Sequence, residues 1–179
     1  MKLKDKQILL GVSGSIAAYK SAELIRLLRS EGVIVRVILT KGGSQFITPL
    51  TLQTLSGNPV RQKMFSISEE AAIEHIQLAK WAELILIAPA SAAIASRINS
   101  AAASDLLSTV CLATDAPLIL VPAMNQKMWQ HPAVQKNFAD LKQQGAHILG
   151  PIHGDLACGE VGLGKMLEPA DIIKFILTM

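Results

Sequence analysis

Five short apolar runs recur along the chain, and between them the apolar positions fall three and four residues apart. The runs are QILLGVS at 7–13, VIVRVILT at 33–40, AELILIAPA at 82–90, PLILVPA at 117–123 and AHILGP at 146–151. They are nearly continuous in Val, Ile and Leu, as strands covered on both faces are. Between the first two, Ala18, Ala22, Ile25 and Leu28 share one helical face, and Gly32 marks its end. Strand and helix alternate, which predicts an α/β fold: a doubly wound parallel sheet in a single domain spanning residues 1–179. No low-complexity linker, internal repeat or shift in composition divides it.

In such a sheet, ligands gather beyond the carboxyl ends of the strands. That rule selects GVSGSIAAYK (11–20), TKGGSQFI (40–47), APASAA (88–93) and VPAMNQKMW (121–129). Gly11, Ser13, Gly14 and Ser15 form a small-residue turn whose backbone N–H groups can meet an anion. It has neither the G-x-G-x-x-G spacing nor the lysine of a P-loop. Thr40, Ser44, Ser91, Ser108 and Thr109 add hydroxyls. Hydroxyls and amides with little positive charge suit a monophosphate cofactor, while any one of these hydroxyls serves equally as a helix cap. His75, in AAIEHIQLAKWA, reads as a base or as a structural histidine, and Asn125 as a carboxylate-binding amide or an N-cap. Met124, Met128 and Trp129 fit a core or the wall beside a flat ring.

Composition narrows the classes. Half of the residues are apolar, but the longest apolar run, Leu84 to Ala95, contains Pro89 and is too short to span a bilayer. The N-terminal apolar run is short and lacks a small-residue cleavage site, so a cytoplasmic protein without a membrane span is expected. The formal charge of +3 is carried by scattered Lys and Arg, and aromatic residues are only 4%, which gives nucleic acid no stacking platform. No histidine or cysteine spacing matches a zinc site and no G-x-S-x-G elbow occurs, so neither a metal centre nor a serine hydrolase is expected. Cys111, in LLSTVCLAT, reads as packing. Cys158, in ACGEVGLGKM at 157–166, lies among Gly159, Gly162 and Gly164 with Asp155 and Glu160 nearby, a poor setting for a fixed core residue.

Taken in order, GVSGSIAAYK, IEHIQLAKWAELILIAPAS, DLLSTVCLAT, PAMNQKMW and ACGEVGLGKM cover nearly the whole chain and resemble the flavin-dependent cysteine decarboxylases. The resemblance implies a flavodoxin-like or Rossmann-like fold, FMN as cofactor and a carbon–carbon lyase activity. The cysteine-containing glycine loop resembles the coenzyme A branch, which decarboxylates phosphopantothenoylcysteine to phosphopantetheine. The alternatives are the branch acting on peptidyl cysteine and a non-catalytic flavin-binding regulatory subunit. Carried over residue by residue, the resemblance makes His75 the base, Asn125 the partner of the substrate carboxylate and Cys158 the proton donor on a substrate-covering loop. It places FMN against Ser13, Gly14, Ser15, Thr40, Ser91, Ser108 and Thr109, and substrate against Met124, Ala157, Gly159 and Lys165. It also implies a homotrimer or an assembly of trimers, with the active site shared between neighbours. Many bacterial relatives continue into a ligase domain, which is not expected within these 179 residues. Four positions depart from the family pattern: Ala93 and Ser104 stand where Asn or Asp is usual, Ala101 where Gly is common, and Lys165 where Arg is normal.

Overall fold

A computed structural model describes residues 3–64 and 74–179. Six strands, β1 (Gln7–Val12), β2 (Ile34–Leu39), β3 (Val60–Arg61), β4 (Leu84–Ala90), β5 (Leu118–Pro122) and β6 (His147–Ile148), form one sheet in the order β3-β2-β1-β4-β5-β6. Every pairing in it is parallel. The doubly wound sheet expected from the alternation of runs is therefore present, and its strand order reverses between β1 and β4. The two-residue β3 is an addition that no apolar run announced.

Alternate residues of each strand feed two separate cores, because successive side chains point to opposite faces. Ile8, Leu10, Val12, Val35 and Val37 pack with Leu24, Ile25 and Leu28 of α1 (Lys20–Ser30), Leu52 of α2 (Pro49–Ser56) and Ile172 and Ile176 of α8 (Pro169–Thr178). On the other face, Leu9, Ile85 and Ile87 meet α3 (Glu74–Trp81), α4 (Ala92–Asn99), α5 (Leu106–Leu112) and α7 (Pro132–Gln143) through Leu78, Ile94, Leu107 and Phe138. Each such large side chain withdrawn from water contributes about 1.5–3 kcal/mol. Gly11 lets α5 approach: a Cβ there would lie 2.7 Å from the Leu107 side chain.

Two further elements lie at the carboxyl edge of the sheet. One is the short α6 (Gln126–Gln130). The other is an antiparallel hairpin of β7 (Ile152–Asp155) and β8 (Val161–Lys165), with Cys158 in its connection. The sequence reading had a glycine loop where this hairpin stands.

Three helices end in the same way. At α1 the Val33 N–H donates to Leu28 and the Gly32 N–H to Arg29, and at α7 the Ala146 and Gly145 N–H groups donate to Leu141 and Lys142. At α4 the Ala102 N–H reaches Arg97 and the Ala101 N–H reaches Ile98. Each is a Schellman closure, which requires a left-handed residue just past the cap. Gly32 has φ +81° and Gly145 φ +99°, but Ala101 is held at φ +53°. A left-handed position of this kind favours glycine, the residue that the family resemblance leads one to expect at 101. Ala101→Gly removes the Cβ clash and raises stability by about 0.5–1 kcal/mol after allowing for the greater freedom of the unfolded glycine chain. A urea titration reads this as a higher midpoint at unchanged slope. An unchanged or lower midpoint contradicts the strain.

Candidate functional site

The rim selected by the strand-end rule is assembled by short polar links. Ser13, at the end of β1, donates its hydroxyl to the Pro89 carbonyl at 2.7 Å and accepts the Ser91 N–H at 2.9 Å, joining β1 to β4 where the strand order reverses. Thr40 donates to the Val12 carbonyl at 3.3 Å and accepts the Gly43 N–H at 3.1 Å, tying the turn after β2 to β1. Gly14 and Gly42 then meet backbone to backbone: a Cβ on Gly14 would stand 3.1 Å from Gly42 Cα. Ser15 accepts the Ala17 N–H and Ser91 the Ile94 N–H as caps. The N–H groups of Gly14 and Ser15 are left without an acceptor among the described residues.

Against this rim lies a cavity of about 560 Å³. Gly14, Ser15 and Ser91 line one side of it, Met124 and Asn125 another, and the hairpin closes over it with Ala157, Cys158 and Lys165. Of the expected cofactor and substrate contacts, Gly14, Ser15, Ser91, Met124, Ala157 and Lys165 line the cavity. Ser13 and Thr40 are buried in the links just described and do not line the cavity. Ser108 and Thr109 lie in the first turn of α5, where Ser108 completes a capping box with Asp105 and Thr109 donates to the Asp105 carbonyl at 2.7 Å. Gly159 forms the turn of the hairpin connection at φ +84°, its N–H donating to Leu156 at 2.9 Å. Ala93 is exposed on α4 and Ser104 precedes the α5 cap, both away from the cavity lining.

The hairpin is seated by its glycines. The Met124 N–H donates to the Gly164 carbonyl at 3.0 Å, and a Cβ on Gly164 would collide with the Met124 carbonyl oxygen. A Cβ on Gly162 would collide with the Gln126 side-chain amide. Both glycines face the β5–α6 connection because the strand period is two. The contact brings the Asn125 Nδ2 to 3.5 Å from Cys158 Sγ and 3.4 Å from Glu160 Oε2. The Asn125 side-chain oxygen accepts the Lys127 N–H at 2.8 Å. Asn125 is therefore an N-cap through its oxygen and a donor to the site through its nitrogen, so the two readings of its amide are compatible.

The charged residues lining the cavity are Asp155 and two lysines, Lys20 and Lys165, which share the Glu168 carboxylate. Lys20, only 7% exposed, donates to both oxygens of Glu168 at 2.8 Å, and Lys165 lies 3.2 Å from Glu168. The hydrogen bond from Lys20, with Lys165 adding to it, holds the Glu168 carboxyl below its ordinary range. Lys20 and Glu160 are the site residues the sequence reading did not single out.

His75 stands apart. It lies in the first turn of α3, which packs beside α5 on the second core, and it does not line the cavity of its own chain. Its Nδ1 is buried without a hydrogen-bond partner among the described residues. Cys111 packs against the second core as expected, and burial, reinforced by Asp105, pushes its thiol up to about 12.

With this geometry in view, the comparisons are specific. The flavoprotein family model matches residues 1–179. The coenzyme A biosynthesis bifunctional protein CoaBC of Haemophilus influenzae is 51% identical over 172 residues, which is 96% of this chain and 43% of that protein. The chain thus spans less than half the length of the curated relatives it matches. Among solved structures, a cysteine-to-serine variant of PPC decarboxylase complexed with pantothenoylaminoethenethiol superimposes with a TM-score of 0.86 at 30% identity, covering 98% of both chains. The FMN-dependent cysteine decarboxylase SpaF gives 0.84 at 27% identity, covering 98% of this chain and 97% of its own. No helix among the described residues is long and apolar enough to cross a membrane.

Cys158 is exposed, whereas Cys111 packs against the core with its thiol pushed up to about 12, so brief iodoacetamide treatment of the native protein modifies Cys158 and spares Cys111. Peptide mass mapping checks this. Equal modification of both without denaturant contradicts the burial of Cys111.

Proposed function

The chain belongs to the flavoprotein family, and from that premise we propose that it is an FMN-dependent decarboxylase converting phosphopantothenoylcysteine to phosphopantetheine in coenzyme A biosynthesis. The observation that carries the reading is the meeting of the Asn125 amide and the Cys158 thiol at 3.5 Å, delivered by separate elements to one cavity. The coenzyme A relative at 51% identity and the PPC decarboxylase structure support the substrate.

The rim fits FMN. The acceptor-free N–H groups of Gly14 and Ser15, with the Ser15 and Ser91 hydroxyls, can receive a monophosphate, and the side-chain-free contact of Gly14 with Gly42 leaves room for it to approach. Bound there, FMN supplies the two-electron oxidation of the substrate thiol that makes loss of carbon dioxide possible, and the return of those electrons. The chain's own residues do the rest. Asn125 Nδ2 orients the substrate carboxylate, with the backbone bond to Lys127 fixing which end of the amide it presents. Cys158 Sγ–H holds the proton that the product carbon receives. The hairpin tip covers the cavity and excludes water. Met124 and Ala157 wall the substrate, Gly159 gives the tip its turn, and Lys165 offers an ammonium to its phosphate.

His75 acts as the base in a neighbouring copy's site. It does not line the cavity where the Asn125–Cys158 pair meets, so one chain does not complete the constellation. Ile16, Tyr19, Phe46 and Met128, all lining the cavity and between 47% and 61% exposed, supply an apolar rim for that contact. A homotrimer, or an assembly of trimers, in the cytoplasm is the form this reading assigns. Ser108 and Thr109, beside His75's helix, contact the cofactor from that side.

The test is direct. Purified protein reconstituted with FMN shows flavin absorbance and releases carbon dioxide from phosphopantothenoylcysteine, and does so poorly from peptides ending in cysteine. A protein that takes up no FMN, or that prefers the peptides, overturns the reading. Cys158→Ser separates the halves of the cycle: anaerobically it gives about one equivalent of carbon dioxide and leaves the flavin bleached, because a hydroxyl is a far weaker acid than a thiol. Many anaerobic turnovers by that variant show that the proton comes from elsewhere.

A further inference from the structure

Resting on the reading that Asn125 holds the substrate carboxylate, a second observation concerns a carboxylate that the chain itself supplies. Because the Asn125 oxygen is committed to Lys127, the group presented to the cavity is the NH₂ donor alone. Glu160 Oε2 lies 3.4 Å from that nitrogen and 3.6 Å from Cys158 Sγ, so amide, thiol and carboxylate form one triangle. Glu160 is exposed and has no Lys, Arg or His within ion-pair distance among the described residues. Every other described interaction of Glu160 is made by its backbone: its carbonyl accepts the Leu156 N–H at 2.8 Å, closing the hairpin tip. The tip is therefore shaped without help from the carboxylate.

We propose that Glu160 is a built-in competitor for the substrate carboxylate, occupying the Asn125 donor until a carboxylate-bearing ligand displaces it. One amide cannot serve two carboxylates at close range without like-charge repulsion. The opposition falls on the substrate and not on the product, which has lost that carboxylate as carbon dioxide. Glu160 thus sets the balance of affinity between the two, and it admits to the Asn125 position only ligands whose other contacts outweigh the displacement. It is a specificity-determining residue, distinct from the thiol it adjoins.

The experiment uses the FMN-loaded protein and two probes that differ only in the carboxylate: S-methylated phosphopantothenoylcysteine, whose blocked thiol prevents turnover, and S-methylated phosphopantetheine. Calorimetric titration of Glu160→Gln is expected to show the first bound about two- to five-fold more tightly than by the wild type, in the range of exposed charge interactions, and the second bound equally. Glu160→Ala, which also lacks the competing acceptor, gives the same split. In an Asn125→Ala background most of the gain disappears, since the contested donor is gone. Unchanged affinity for the carboxylate probe, or an equal shift for both probes, overturns the competition. Failure of the underlying reading looks different: Asn125→Ala alone then binds both probes as the wild type does.

Discussion

The site depends on a backbone contact with no side chain in it. The β8 strand lies against the connection leaving β5, with the Gly164 carbonyl accepting the Met124 N–H and no room for a Cβ on Gly164. Everything that meets at the cavity mouth follows from that seating. Asn125 is fixed by its own helix cap, and Cys158 and Glu160 are carried to it by the hairpin. A larger residue at 164 would lift the strand and separate thiol from amide while leaving the six-stranded sheet untouched. The sheet supplies the rigid platform, and the close approach of Gly164 to the Met124 backbone determines what is delivered to it.

The platform has its own constraint at the point where strand order reverses. Ser13 bonds to both the Pro89 carbonyl and the Ser91 N–H, so the turns after β1 and β4 are held as one unit. Sequence reasoning treated Ser13 and Thr40 as cofactor contacts. The structure gives both hydroxyls to the frame, and the amides of Gly14 and Ser15, which line the cavity, have no acceptor among the described residues. Buried hydroxyls of this kind are satisfied by the protein, as the cost of leaving them unpaired requires.

The sheet and its crossover helices were legible because apolar residues buried on both faces leave continuous runs, and helices leave a three-and-four spacing. The seat of Cys158 was not. In VGLGK the alternating glycines erase the apolar signal of a strand, although their period of two was the clue that one face must meet another backbone closely. Lys20 escaped notice because a lysine in a helical segment reads as solvated, whereas here it is 7% exposed and paired with Glu168, 148 residues away. Glu160 was seen only as a polar neighbour of Cys158. Its approach to Asn125 spans 35 residues and depends on how the hairpin folds back. Ala101, by contrast, was flagged by its departure from a family glycine, and its left-handed φ gives that departure a physical meaning.

The central claim is that one active site draws on two copies of the chain, because His75 lies on α3, outside the cavity where Cys158 and Asn125 meet. Co-expression of His75→Asn with Cys158→Ser tests it most directly. Each variant alone is deficient in sustained turnover, but a mixed assembly contains some sites that take an intact His75 from one copy and an intact Cys158 from its neighbour. Random assortment of equal amounts restores about one quarter of the sites, read as sustained carbon dioxide release from phosphopantothenoylcysteine under anaerobic conditions. Mixed assemblies that regain no turnover, while each variant still binds FMN and assembles as the wild type does, contradict the account.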